Sequence, residues 1–128
     1  MTSCEGQATR VAEIYTAACE RSAHVIVAGD LNDSADSAPI RLLTAAGLRD
    51  SMSHDAYDGP PGTYKSGRSA NQKLDYLMLS PGLWQHVRAV GVERRGIWAP
   101  RSIEPFPSVT SHTTQASDHG ALYADLSI

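Results

Sequence analysis

The chain has 128 residues, 41% hydrophobic and 20% charged, which suits one globular domain with a core and excludes a disordered composition. A net charge of −3 and a pI near 5.9 give no basic footprint for tight, sequence-independent nucleic-acid binding. Cys4 and Cys19 form no CxxC and no Cys/His cluster, so neither a zinc site nor a disulfide framework is expected; residues 1–24 carry no export signal, and no run approaches membrane-spanning length.

From Ala8 to Glu20, Val11, Ile14, Tyr15 and Ala18 recur at spacings of three and four, predicting an amphipathic helix packed through that face. Ala23 to Leu31 is a short apolar run closed by Asn32-Asp33-Ser34, the pattern of a strand buried on both sides. Asp36 or Ser37 can cap a second helix with Pro39 in its first turn, Ile40, Leu42, Leu43 and Ala46 inward, and Gly47 as its stop; Leu48 to Ser51 then leads outward. Residues 53–71 hold two turn-rich clusters around Thr63-Tyr64 and read as a surface loop with a short central strand. Lys73 to Ser80 is a second strand stopped by Pro81-Gly82, and Val87 to Arg94 a third. Residues 95–117, divided by Pro100, Pro105 and Pro107, form a long loop before a last strand at Ala121 to Leu126.

Three polar motifs are attached to these strands: Gly29-Asp30-Leu31-Asn32-Asp33, Leu74-Asp75-Tyr76 and Ser117-Asp118-His119. If the first strand persists, Asp30 and Asn32 share a face. Asp75 interrupts an aliphatic run where an unpaired carboxylate is costly. In this order the motifs resemble the later half of the endonuclease/exonuclease/phosphatase superfamily, over about residues 8 to 128. The family's earlier half, with a strand carrying an Asn and another ending in a metal-holding Glu, has no counterpart before Asp30. The resemblance therefore implies that residues 1–128 are a single partial domain, the C-terminal half of such a domain. The fold class it implies is α/β, a mixed β-sheet with flanking helices, half of a four-layer α/β sandwich. Strands at 23–31, 73–80, 86–94 and 121–127 are expected to make most of one sheet, with Asp30, Asn32, Asp75, Asp118 and His119 converging at one end.

The chemistry implied is metal-dependent hydrolysis of a phosphoester by direct attack of water, a reaction of positioning and electrostatic stabilisation. Asp30 is placed to take the proton of the attacking water, with Asn32 as a neutral donor that orients the water or the carboxylate and also binds substrate. His119 donates to a phosphate oxygen, with Asp75 as the partner that raises its pKa, while Asp118 faces the metal. Magnesium or manganese suits an all-oxygen carboxylate site better than zinc. The substrate stays open among nucleic acid, phospholipid and small phosphoesters. Without its opposing half, the chain is expected to be weakly active or inactive and to form a homo-oligomer or pair with a complementing N-terminal half.

Other residues carry weaker signals. Arg68 and Asn71 could touch a phosphate or simply be solvated; Thr63-Tyr64 suits a family position and equally a loop anchor; Arg94-Arg95 reads best as a solvated strand end packed by Trp98. His24, His54, His86 and His112 show no ligand spacing. A Ser117-His119-Asp75 triad lacks GxSxG, and Gly62 to Ser66 lacks the spacing of a phosphate-binding loop. The alternative from another class is a catalytically silent binding or interaction domain.

Overall fold

The structure, a computed structural model, describes residues 3–64, 72–99 and 104–128. Helix α1 (Ser3–Cys19) is followed by strand β1 (Ile26–Asp30), helix α2 (Ala38–Ala45), the two-residue strand β2 (Arg49–Asp50) and a 3-10 turn (Ser51–Ser53). Strand β3 (Asp75–Leu79), the one-turn helix α3 (Pro81–Trp84), and strands β4 (Val87–Glu93) and β5 (Ala121–Leu126) complete the order. No described helix is long and apolar enough to cross a membrane.

Helix α1 begins five residues before the expected Ala8, with Glu5 favouring the positive end of its dipole. Its inner stripe is Ala8, Val11, Ala12 and Tyr15, while Ile14, expected inside, is 54% exposed. The stripe runs i, i+3, i+4, i+7 through Tyr15, and that register turns the neighbouring position outward. Helix α2 ends as its sequence predicts. Gly47 takes φ 115°, a conformation that L side chains rarely adopt, and the Leu48 N–H returns to the Leu43 carbonyl as Leu48 buries beside Tyr15 and Leu43.

The strands form two antiparallel sheets, ordered β1-β3-β2 and β4-β5, rather than sharing one. Period-two alternation on β3 explains why. Tyr76 and Met78 join Val27 in a core against α1 and α2, whereas Leu77 and Leu79 pack with Val87, Val90, Leu122, Ala124 and Leu126 of the second sheet. The layers are therefore helices, a three-stranded sheet and a two-stranded sheet. Arg49 and Asp50, expected to lead outward, instead pair with Leu79 and Met78 as an edge strand. Strand β1 is the other edge among the described residues, and only one of its faces is covered: Val27 is half-buried, while Ile26 is 47% exposed. The expectation of burial on both sides fails because the second sheet covers β3 and stops short of β1.

Ser80 fastens the entry to β1. Its hydroxyl accepts the Val25 N–H at 3.0 Å and donates to the Ala23 carbonyl at 2.7 Å, and the residue is almost fully buried. Ser80→Ala removes both bonds, so a loss of about 1–3 kcal/mol is expected in urea unfolding with the fold retained. An unchanged midpoint would show that β1 enters the sheet without this tie.

Candidate active site

The antiparallel register of β1 and β3 places Asp30 directly opposite Asp75. Ala28 and Leu77 lie on the same strand face two residues back, so both carboxylates share the side that looks toward β5. A cleft of about 220 Å³ lies there, lined by Asp30, Asp75, Gly120 and Leu122 among others. From the segment just before β5, the His119 imidazole reaches in and sets Nδ1 2.7 Å from Asp75 Oδ2. Ligand atoms of Asp30, Asp75 and His119 lie within 4.8 Å of one another.

His119 has its pKa raised above the usual histidine value, first by the hydrogen bond to Asp75, then by the charges of Asp75, Asp30 and Asp118, with burial opposing. Asp118 lies on the other side of the ring, its carboxylate 3.9 Å from Nε2 and its side chain half exposed. The imidazole is thus bracketed by acids, an arrangement that favours a charged donor. Ser117 Oγ accepts the His119 backbone N–H at 3.0 Å, a local turn rather than a nucleophile's bond to the imidazole.

Asp30 closes a turn as well as facing the cleft. Its Oδ1 accepts the Asn32 N–H at 2.9 Å. β1 ends at Asp30, Leu31 and Asn32 both donate to the Leu74 carbonyl, and Asn32 takes φ 51°, the left-handed region that Asn tolerates best among larger residues. The strand therefore does not persist, and the alternation argument for a shared Asp30–Asn32 face fails. Asn32 instead lines an adjacent cavity of about 780 Å³ with Asp33, Ser34, Gln72 and Lys73.

Several supporting residues were not visible as such in the sequence. Thr63 is fully buried; its hydroxyl accepts the Leu74 and Asp75 N–H groups, both at 3.0 Å, and its carbonyl accepts the Gly120 N–H at 2.7 Å. Tyr64 bridges to His119 through the backbone and sets its ring edge-on to the imidazole at 5.0 Å. Lys73 donates to the Asp75 carbonyl at 2.8 Å, lies 3.5 Å from Asp50 Oδ2 and covers the Tyr76 ring at 4.1 Å; burial lowers its pKa, with Asp50 opposing that shift. Tyr76 donates to the Asp33 carbonyl at 2.8 Å, and burial pushes its pKa up to about 12. The sequence cues for these residues were the Thr63-Tyr64 pair and Tyr76 of the Leu74-Asp75-Tyr76 motif. Arg94 is not a solvated strand end: it is buried and donates to the Gly62 carbonyl at 2.8 Å, while Arg95 pairs with Glu93 and stacks on Phe106 rather than Trp98. Arg68 and Asn71 lie outside the described residues.

The sequence profile of the Endonuclease/Exonuclease/phosphatase family matches residues 2–119. The chain belongs to this family. Two solved structures share its fold. One is the 3′ phosphatase NExo from Neisseria bound to a product DNA hairpin, with TM-score 0.60 and 19% identity, covering 92% of this chain and 51% of that one. The other is the 3′-5′ exonuclease NExo from Neisseria meningitidis, with TM-score 0.60 and 20% identity, covering 91% of this chain and 50% of that one. This family member thus spans about half the length of the structures it matches. No curated protein matches the sequence.

The direction of the His119 shift fixes a pH signature. A folded pKa raised above the unfolded value of about 6.5 contributes stability that is fully present below that value and is lost as pH rises through the folded pKa. The stability difference between the wild type and His119→Gln is therefore expected to shrink as pH is raised from about 6 toward 9, in urea melts across that range. A difference that grows with pH would mean that the imidazole is held neutral.

Proposed function

We propose that this chain is the C-terminal catalytic half of a divalent-metal-dependent phosphoesterase, acting by attack of water on phosphorus. The observation that carries the reading is the Asp75–His119 hydrogen bond beside Asp30, the register partner of Asp75 on the same sheet face. Asp30 receives the proton of the attacking water, held in aim by its own turn with Asn32. His119, charged through its bond to Asp75, donates to a phosphate oxygen and offsets the negative charge that accumulates on phosphorus. Asn32, which lines the neighbouring cavity, orients the substrate.

The donor chemistry fits a hard divalent cation such as Mg2+ or Mn2+, because carboxylate oxygens dominate the cluster. Asp118, beside the cluster, is the residue to hold it; His119 has Nδ1 committed to Asp75 and a raised pKa, which makes it a donor to substrate rather than a ligand. When bound, the cation supplies charge neutralisation and polarisation of a phosphate oxygen. A nucleic-acid phosphoester is the substrate to test first, because one structural match is a 3′ phosphatase bound to a product DNA hairpin and the other a 3′-5′ exonuclease. In the complete protein, Asp30→Asn and His119→Ala are each expected to lower turnover by roughly a hundredfold to ten-thousandfold, with melting temperature nearly unchanged. Near-full rate in either variant removes that residue from the mechanism.

A second element of the proposal is that residues 1–128 alone are a partial domain. Its support is the open face of β1, where Ile26 is 47% exposed beside the acidic cleft. An unpaired strand edge with an apolar face invites self-association or a complementing half. Light scattering on residues 1–128 is expected to show association, and a magnesium-dependent phosphodiester assay little turnover. A strictly monomeric, fully active chain contradicts this element and leaves the mechanism above standing.

A further inference from the structure

We propose that Thr63, locked from behind by the buried Arg94, is the positioning residue that holds Asp75 and His119 at hydrogen-bonding distance. The two members of this pair belong to different sheets, because Asp75 opens β3 and His119 precedes β5, and no strand of one sheet is hydrogen-bonded to a strand of the other among the described residues. What joins the sheets is apolar packing of Leu77 and Leu79 against the second sheet, which is non-directional and tolerates small sliding. Such sliding matters, since misplacement of about 1 Å can cost roughly a hundredfold in rate.

Thr63 supplies directional bonds across that gap. Its hydroxyl fixes the backbone of Leu74 and Asp75 on the first sheet, and its carbonyl fixes Gly120, the residue after His119, on the second. The Thr63 and Tyr64 N–H groups both donate to the Gln72 carbonyl, which stops the loop from turning away. Behind it, Arg94 follows β4 and holds the Gly62 carbonyl at 2.8 Å, with longer contacts at 3.4 Å to the Pro60 carbonyl and the Tyr57 hydroxyl. The far wall is equally close. A Cβ on Gly120 would collide with Val92 Cγ1 and lie 3.6 Å from Arg94 Cγ.

The chemistry of Arg94 points the same way. Its residue is 9% exposed, its Nη1 is buried with no hydrogen-bond partner, and no carboxylate pairs with it among the described residues. A buried guanidinium bonded to carbonyls through Nη2 with its Nη1 N–H groups left unpaired is a poor device for stability, and its constraint on the Pro60–Gly62 backbone is the gain it offers.

The catalytic meaning of this clamp rests on the phosphoesterase reading, but its structural consequence does not. The test is imidazole NMR at a single pH in metal-free buffer, with thermal melting and steady-state kinetics of the complete protein on a phosphodiester. Thr63→Val, close in shape but lacking the hydroxyl, is expected to shift or broaden the His119 Nδ1 proton resonance and to lower kcat at least about tenfold with KM little changed; Thr63→Ser restores both. A Thr63→Val protein that melts lower yet keeps the wild-type His119 resonance overturns the proposal. If that variant does not fold, Arg94→Lys takes its place. Loss of the planar fork is expected to move the same resonance by a smaller amount, and an unmoved resonance overturns the proposal. A shifted resonance in a protein whose wild type hydrolyses no phosphoester sustains the clamp and removes the phosphoesterase reading instead.

Discussion

Strand β3 is the constraint on which the rest depends, because both hydrophobic cores are built on its two faces. Tyr76 and Met78 seat the helices, Leu77 and Leu79 seat the second sheet, and Asp75 stands at the strand's beginning where the two cores part. A one-residue slip in its pairing with β1 would exchange these faces and carry Asp75 away from Asp30. The apolar alternation therefore sets the register, and the register places the acids.

Polar groups near the acids are placed by burial rather than by exposure. Lys73 loses hydration under the start of β3, and Asp50, the Asp75 carbonyl and the Tyr76 ring replace it. Tyr76, anchored in the helical core, sends its hydroxyl out to hold the Asp33 carbonyl and so steadies the turn that contains Asn32. The site is thus tied to both cores. Asp30 and Asp75 sit at a sheet end, beside the buried and hydrogen-bonded Thr63 and Tyr76.

Strand β1 carries the contrast within the fold. One face is packed by Val27 against the helices, and the other exposes Ile26 and Ala28 on the same side as Asp30. That exposed aliphatic face lies beside the acids of the cleft, in a chain about half as long as its structural matches.

Much of this was legible in the sequence, since hydrophobic periodicity marks strands and helices and the polar exceptions within aliphatic runs stand out. The helix stop at Gly47, the strands around Asp30, Asp75 and after His119, and the family itself were all readable from local pattern. Local pattern could not divide four strands between two sheets, turn Ile14 outward, or find that β1 lacks a cover, because each depends on which surfaces meet. Nor could it read Thr63, Lys73 and Arg94. Their residue types are common in loops, and their roles come from contacts with distant segments: Thr63 with Leu74, Asp75 and Gly120, Lys73 with Asp50, and Arg94 with Gly62. By itself, the sequence determined the family motifs and which runs form elements, because both follow from side-chain type and spacing. Only the tertiary structure decided how those residues are aimed, because aim is set by register, burial and hydrogen bonds between distant parts of the chain.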